Sequence, residues 1–292
     1  MARTLSPTGP LALLRRAVAR VAPWSAADIL RLARRVAAPP QKGMVSLVGA
    51  GPGSADLITL RGARRIEAAE VILYDRLIDM RLLDLASPSA ALVHVGKDPN
   101  GPAWKQARID ALLVDLAKAG KRVVRLKCGD PGVFARGAEE AAALSAAGEA
   151  WEIVPGVTAA SAASAAAGGF LTERGALDTL VLATGHVAEG APAPDWAGHL
   201  RPGATLALYM GVRNAPAIQA ALLGAGHSPD LPVDVVAEAE TPRQQVLRTS
   251  LGRMAADIAT AGIRNPALIL IKRRKSPAPV LAATVPAQAV SG

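Results

Sequence analysis

The sequence predicts an α/β fold arranged as two α/β domains. Three observations carry that expectation. From residue 44 onward short apolar runs alternate with helical patterns, the signature of parallel strands joined by crossover helices. After about residue 171 the alternation gives way to consecutive strand-like runs, which marks a mixed sheet. The chain has 292 residues, enough for two domains of ordinary size.

The elements follow in order. Residues 1–43 read as a basic N-terminal extension, expected to be poorly ordered, with a possible cap at Ser25 and a stop at Pro39 and Pro40. A membrane or targeting role is the alternative for this stretch, because targeting peptides share its Arg-rich, acid-poor composition. The first domain is placed at 44–170. Strands are expected at 45–48, 71–74, 91–95, 122–126 and 151–154, with helices at 56–69, 106–119 and 137–147. A helix of small residues, "VTAASAASAAAGG", closes this half and lets a backbone or a flat ligand come near. The second domain is placed at 171–274, with strands at 177–183, 205–209, 233–237, 245–249 and 267–271 and helices at 215–225 and 251–261. The two runs near 233 and 245 suggest an antiparallel hairpin. The proline-rich tail, 275–292, is expected to be disordered.

Composition narrows the function classes. Hydrophobic residues are 51% and aromatics 3%, so the core is aliphatic. No apolar run approaches the ~20 residues of a membrane span, and no membrane association is expected of the folded part. The net charge of +9 sits in the tails: residues 1–43 carry eight Lys/Arg and one acid, and residues 272–292 carry four bases and no acid, which leaves −2 for the middle. Nucleic acid is therefore not the expected partner of the core, and two Phe, two Tyr and four Trp are too few for a base-stacking surface. One cysteine, Cys128, fits a reducing compartment and a cytoplasmic location. The four histidines show no metal spacing, so no metal is expected. Neither a G-x-S-x-G elbow nor a Walker A lysine is present.

Four stretches could carry chemistry. "VGAGPGSADL" follows a strand and precedes a helix, as a dinucleotide loop does, but its spacing is G-x-G-x-G and Pro52 has no N–H to offer an anion. It reads as a ligand loop that does not hold a dinucleotide, or as a plain turn. In "ILYDRL", Asp75 falls at a strand end, where open α/β sheets bind ligands; a surface acid paired with Arg76 is the alternative. In "HVGKDPNGP", Lys97 follows another strand end and could serve as a charge partner or proton donor, or be a solvated lysine. "RLKCGDPGVFARG" is too costly in backbone terms for a simple connector and reads as a ligand loop.

In sequence order, "VGAGPGSADLITLRGARRI", "VILYDRL", "HVGK", "VVRLKCGDPGVFARGAEE", "EIVPGVTAASAASAAAGGFLTERG", "LATGH", "TLALYMG", "PVDVVAEAETPRQQV" and "NPALILI" span roughly residues 44 to 271. Together they resemble the uroporphyrinogen-III C-methyltransferase family, of the tetrapyrrole methylase class. The resemblance implies two α/β domains with the active-site cleft between them, S-adenosylmethionine as cofactor and a homodimer. It implies two methylations of uroporphyrinogen III, giving precorrin-2 at the branch toward sirohaem and cobalamin. It carries cofactor contacts onto Pro52, Cys128, Gly129, Asp130, Val133, Thr158, Ala159, Met210 and Ala239. The family's proton acceptor falls on Asp75 and its proton donor on Lys97. The substrate's eight carboxylates imply cationic partners, with Lys97, Arg76 and Arg136 as candidates.

The chain also departs from the family pattern. Cys128 stands where a glycine is usual, and the arginine and histidine that often follow the lysine are replaced by "DPNGPAWKQ". The family's larger members carry a dehydrogenase–chelatase domain upstream, which forty-three residues cannot hold, so methyltransferase activity alone is expected. Two alternatives stay open: a later precorrin methyltransferase of cobalamin synthesis, and an RNA-binding protein or RNA ribose methylase that uses the basic tails.

Overall fold

The computed structural model describes residues 41–96, 104–187 and 190–275. Two five-stranded sheets organise them. The first half contributes β1 (Val45–Gly49), β2 (Val71–Tyr74), β3 (Ala91–His94), β4 (Val123–Lys127) and β5 (Trp151–Val154). They form a wholly parallel sheet in the order β3-β2-β4-β1-β5. A parallel sheet is covered on both faces, and its central strands read as continuous apolar runs. β1 is accordingly buried along its whole length.

Helix α1 (Leu60–Ala68) covers one face of this sheet, while α2 (Gln106–Lys118) and α3 (Gly137–Ala146) cover the other. The pattern at 56–69 forms no single helix. A 3-10 turn spans Ala55–Leu57, the chain extends at Ile58 and Thr59, and α1 starts only after the Thr59 side chain accepts from the Gly62 N–H. A second 3-10 segment, Met80–Leu85, escapes the apolar periodicity. Asp79 accepts the Arg81 N–H at its start, and Leu82 and Leu83 are buried beneath it.

The second half contributes β6 (Thr179–Thr184), β7 (Ala204–Tyr209), β8 (Pro232–Ala237), β9 (Gln245–Ser250) and β10 (Ala267–Arg273) in the order β6-β7-β10-β8-β9. β6 and β7 run parallel and the other pairs antiparallel, including the β8–β9 hairpin, so the sheet is mixed. The small-residue helix is α4 (Ala159–Ala166), and it packs its alanines against this second sheet rather than the first. Ala160, Ala163 and Ala167 lie on Ala207, Val236 and Leu270, where larger side chains would hold the layers apart. The opposite face is covered by α5 (Trp196–His199), α6 (Ala215–Gly224) and α7 (Met254–Thr260). α5 is too short to show a periodicity; Asp195 caps it by accepting from Gly198 N–H, and Trp196 is buried.

The pairings make β6, β7 and β8 parallel to one another, so their carboxyl ends share one edge of the second sheet. The loop after β1 meets the loop after β8 there: a Cβ on Gly53 would stand 2.3 Å from the Ala239 carbonyl oxygen. The carboxyl ends of strands from both halves therefore face each other. Among the described residues no helix is long and apolar enough to cross a membrane, and no group of three or more His, Cys, Asp or Glu is placed to hold a metal ion.

Candidate active site

Three backbones converge at the carboxyl edge of the first sheet. A Cβ on Gly156 would lie 2.3 Å from the Gly129 oxygen and 2.8 Å from the Gly49 Cα; a Cβ on Gly49 would lie 2.6 Å from Gly156. No side chain fits at either position. Gly51 and Gly129 exchange two hydrogen bonds, at 3.3 and 2.8 Å, which join the loop after β1 to the loop after β4. Gly129 has a φ of +71°, a conformation that glycine adopts without strain. Pro52 thus sits beside Cys128, Gly129 and Asp130.

Asp130 shapes this edge. Its Oδ1 accepts from Gly132 N–H at 2.7 Å and its Oδ2 from Gly156 N–H at 2.9 Å. Both oxygens are occupied by backbone donors, so the carboxylate holds the loops together and the loops' main chain is what a ligand meets. Val133 follows, with its N–H donating to the Asp130 backbone carbonyl at 3.2 Å. Thr158 precedes α4, and instead of capping that helix its hydroxyl bonds the Tyr209 hydroxyl at 2.6 Å. The Tyr209 hydroxyl also accepts from Ala160 N–H at 3.1 Å. Burial pushes the Tyr209 phenol above its ordinary value. The Phe134 ring lies 4.9 Å from the Tyr209 ring, and Met210 follows directly at the end of β7.

Five non-glycine residues have a positive φ among the described residues: Phe134, Arg136, Met210, Glu238 and Glu240. All five stand in the loops after β4, β7 and β8, at the carboxyl ends of strands from both sheets. Such conformations cost of order 1–3 kcal/mol each and gather at functional sites. Ala239 lies between two of them and against Gly53. Pro52, Cys128, Gly129, Asp130, Val133, Thr158, Ala159, Met210 and Ala239 are thereby brought to one region by the Gly51–Gly129, Asp130–Gly156, Thr158–Tyr209 and Gly53–Ala239 contacts.

Asp75 follows β2 on the same edge, beside β4. Its Oδ1 accepts from Arg125 Nη2 at 2.6 Å, and its Oδ2 accepts no hydrogen bond among the described residues. Burial, together with the charge of Asp75, pushes the Cys128 thiol up to about 11. Lys97 lies outside the described residues. Gly96, just before it, packs against Arg76: a Cβ there would stand 2.7 Å from the Arg76 nitrogen. Arg76 is exposed and has no ion-pair partner among the described residues, whereas Arg136 pairs with Glu139 at 2.5 Å.

Four contributors escaped the sequence reading: Arg125, Lys127, Glu140 and Tyr209. Arg125 bonds Glu140 as well as Asp75, and Lys127 bonds both oxygens of Glu140 at 2.8 Å. Burial opposes the charge on Arg125, yet the Asp75 and Glu140 carboxylates hold it above its ordinary value. Burial and the Arg125 charge push Lys127 down, against the pull of Glu140. The available signal was two cations two residues apart in "VVRLK", an otherwise apolar strand.

Residues 44–255 match the family model "Tetrapyrrole (Corrin/Porphyrin) Methylases". The chain belongs to the tetrapyrrole methylases. This methyltransferase is similar, at 44% identity over 230 residues, to a siroheme synthase of Acinetobacter baylyi, covering 79% of this chain and 50% of that one. A siroheme synthase of Chromobacterium violaceum is 42% identical over 248 residues, 84% of this chain and 53% of the relative. The chain spans about half the length of the curated relatives it matches. Among solved structures it is similar to uroporphyrin-III C-methyltransferase of Thermus thermophilus, at 40% identity and a TM-score of 0.67, covering 78% of this tetrapyrrole methylase and 97% of that chain. The same Thermus enzyme has been solved in complex with S-adenosylhomocysteine. A cobalt precorrin-4 methyltransferase is similar at 30% identity and a TM-score of 0.70, covering 80% and 97%.

Proposed function

We propose that this tetrapyrrole methylase transfers methyl groups from S-adenosylmethionine to two pyrrole carbons of uroporphyrinogen III, giving precorrin-2. The observation that carries this reading is the juxtaposition of the side-chain-free cradle of Gly49, Gly129 and Gly156 with Asp75, one strand away. The similarity to a uroporphyrin-III C-methyltransferase over 97% of its length supports it.

The loops fit the cofactor: Gly49 and Gly156 pack on each other and on the Gly129 oxygen, and that packing draws three main chains together where a flat, polar ligand would approach. Pro52, Cys128, Gly129, Asp130, Val133, Thr158, Ala159, Met210 and Ala239 would hold it. When bound, S-adenosylmethionine supplies an electrophilic methyl group. The residues of this chain do the rest. Asp130 fixes the loops, and the Thr158–Tyr209 bond ties α4 to the second sheet. That framework supplies orientation, the main contribution a displacement reaction draws from a protein. Asp75 takes up, at Oδ2, the proton that the methylated ring releases. Arg76, Arg136 and Lys97 are the cations offered to the substrate carboxylates.

The test is turnover of uroporphyrinogen III with labelled cofactor. A doubly methylated product is expected; its absence overturns the reading. The TM-score of 0.70 to a cobalt precorrin-4 methyltransferase favours a second reading, a later precorrin methyltransferase. Methylation of a precorrin substrate with none of uroporphyrinogen III would establish that one instead.

A further inference from the structure

The polar layer beneath Asp75 is larger than a proton acceptor requires. Arg125 and Lys127 project from one face of β4 into a layer otherwise built from residues such as Val45, Leu47, Leu73, Leu113 and Leu144. Glu140 reaches them from α3. The Arg125, Lys127 and Glu140 side chains are 3%, 2% and 0% exposed, and Asp75 at 30% is the member of the set that reaches solvent. Burying ions costs several kcal/mol each before pairing, and well-packed apolar residues of similar volume are often as stable or more so. Stability is therefore a weak account of this set.

Geometry gives a stronger one. The Arg125 guanidinium is held at three points: Nε donates to Glu140 Oε1 at 3.0 Å, Nη1 to the Leu126 carbonyl at 3.1 Å and Nη2 to Asp75 Oδ1 at 2.6 Å. Its plane cannot turn without breaking a buried bond. Glu140 is held in turn by both its contacts with Lys127. The chain of contacts ends on one oxygen of Asp75 and leaves the other without a protein donor among the described residues.

We propose that Arg125, anchored by Glu140 and Lys127, is a positioning residue for Asp75. It fixes the rotamer of the carboxylate and reserves Oδ2 as the oxygen that takes the proton. This deepens the reading of Asp75 as proton acceptor and rests on it.

The test uses Arg125→Lys, which keeps the charge but loses the planar fork, and Arg125→Met, each alone and with Asp75→Asn. Thermal unfolding controls for folding; calorimetry gives S-adenosylhomocysteine affinity; steady-state kinetics with uroporphyrinogen III separate kcat from KM. The expectation is a kcat loss of roughly 10- to 100-fold for Arg125→Met, below the roughly 10²- to 10⁴-fold that an acid–base group itself contributes, and a smaller loss for Arg125→Lys. KM and S-adenosylhomocysteine affinity stay within about twofold, and neither Arg125 change lowers kcat further once Asp75 is Asn. Equal losses with and without Asp75→Asn would overturn the positioning role, as would an affinity loss that tracks kcat. If Asp75→Asn alone keeps the full rate, the proton-acceptor reading fails and the proposal with it, a result distinct from additivity. Should Arg125→Met fail to fold, Arg125→Lys carries the test. A crystal structure of Arg125→Lys should show the Asp75 carboxylate turned from its rotamer; an unmoved carboxylate overturns the proposal whatever the rate.

Discussion

Two regions meet at the carboxyl end of β4 and are built by opposite means. Up to Lys127 the polar groups are side chains: Arg125, Lys127 and Glu140, buried in an aliphatic layer. From Cys128 onward the structure is made by main chain, with Gly49, Gly129 and Gly156 in backbone-to-backbone contact and Asp130 accepting from the Gly132 and Gly156 N–H groups. Charge deletion should damage the first region and leave the second largely intact. Added volume should do the reverse. A region built from side chains can be tuned residue by residue, whereas a region built from backbone tolerates no Cβ where chains cross.

The largest effect that would sharpen this contrast is Glu140→Gln. It leaves Arg125 and Lys127 short of one buried negative charge, and removing a partner from a buried ion set costs about 3–5 kcal/mol. Chemical denaturation measures it; a loss below 1 kcal/mol would show that water reaches the layer. Next comes Asp75→Asn, expected to lower kcat about 100-fold, or ~2.7 kcal/mol of barrier, with cofactor affinity near normal. An unchanged rate removes Asp75 as the base.

In the backbone region, Gly156→Ala forces a Cβ to 2.3 Å from the Gly129 oxygen. A loss of about 1–3 kcal/mol in stability is expected, as for overpacking, with cofactor affinity falling as the cradle opens. Calorimetry with S-adenosylhomocysteine reports the second effect, and normal affinity would break the comparison. Asp130→Ala should be milder: the exposed Gly132 N–H turns to water, and only the half-buried Gly156 N–H loses a charged acceptor, at about 1 kcal/mol. Cofactor affinity should fall, as it should for Gly129→Val; a fall in substrate affinity alone would reassign the loop.

The smallest effect is a pH dependence. The unfolded Cys128 thiol ionises near its ordinary 9.0, while the folded thiol holds its proton to about 11. The folded state thus binds more protons between those values, and stability falls as pH rises from 9 toward 11. Cys128→Ala should flatten that part of the stability curve, and alkylation of the native thiol should stay slow at neutral pH.

Much of the scaffold was legible. The expected strands at 71–74 and 151–154 match β2 and β5 end for end, and the others fall within two residues of the observed ones, because apolar runs bounded by Gly, Pro and charge leave little choice. The 233/245 hairpin was legible for the same reason. Short capped segments were not: Met80–Leu85 and Trp196–His199 depend on Asp79 and Asp195 side chains meeting local N–H groups, which no periodicity reports. The loops after β1 and β4 stood out by their Gly and Pro content, but the contacts that Asp130 and Tyr209 make did not. Their partners lie 26 and 51 residues away.

The sequence by itself determined where the strands run, which loops are too irregular to be plain connectors, and that a polar acid ends β2. Periodicity and glycine placement are local properties, written in consecutive residues. Only the tertiary structure decided what that acid rests on. β2 lies beside β4 because the sheet order is β3-β2-β4-β1-β5, and only this order sets Asp75 against Arg125, fifty residues on. The buried charges were visible as letters, but their pairing follows from which strands become neighbours, and strand order is settled by how the whole chain packs.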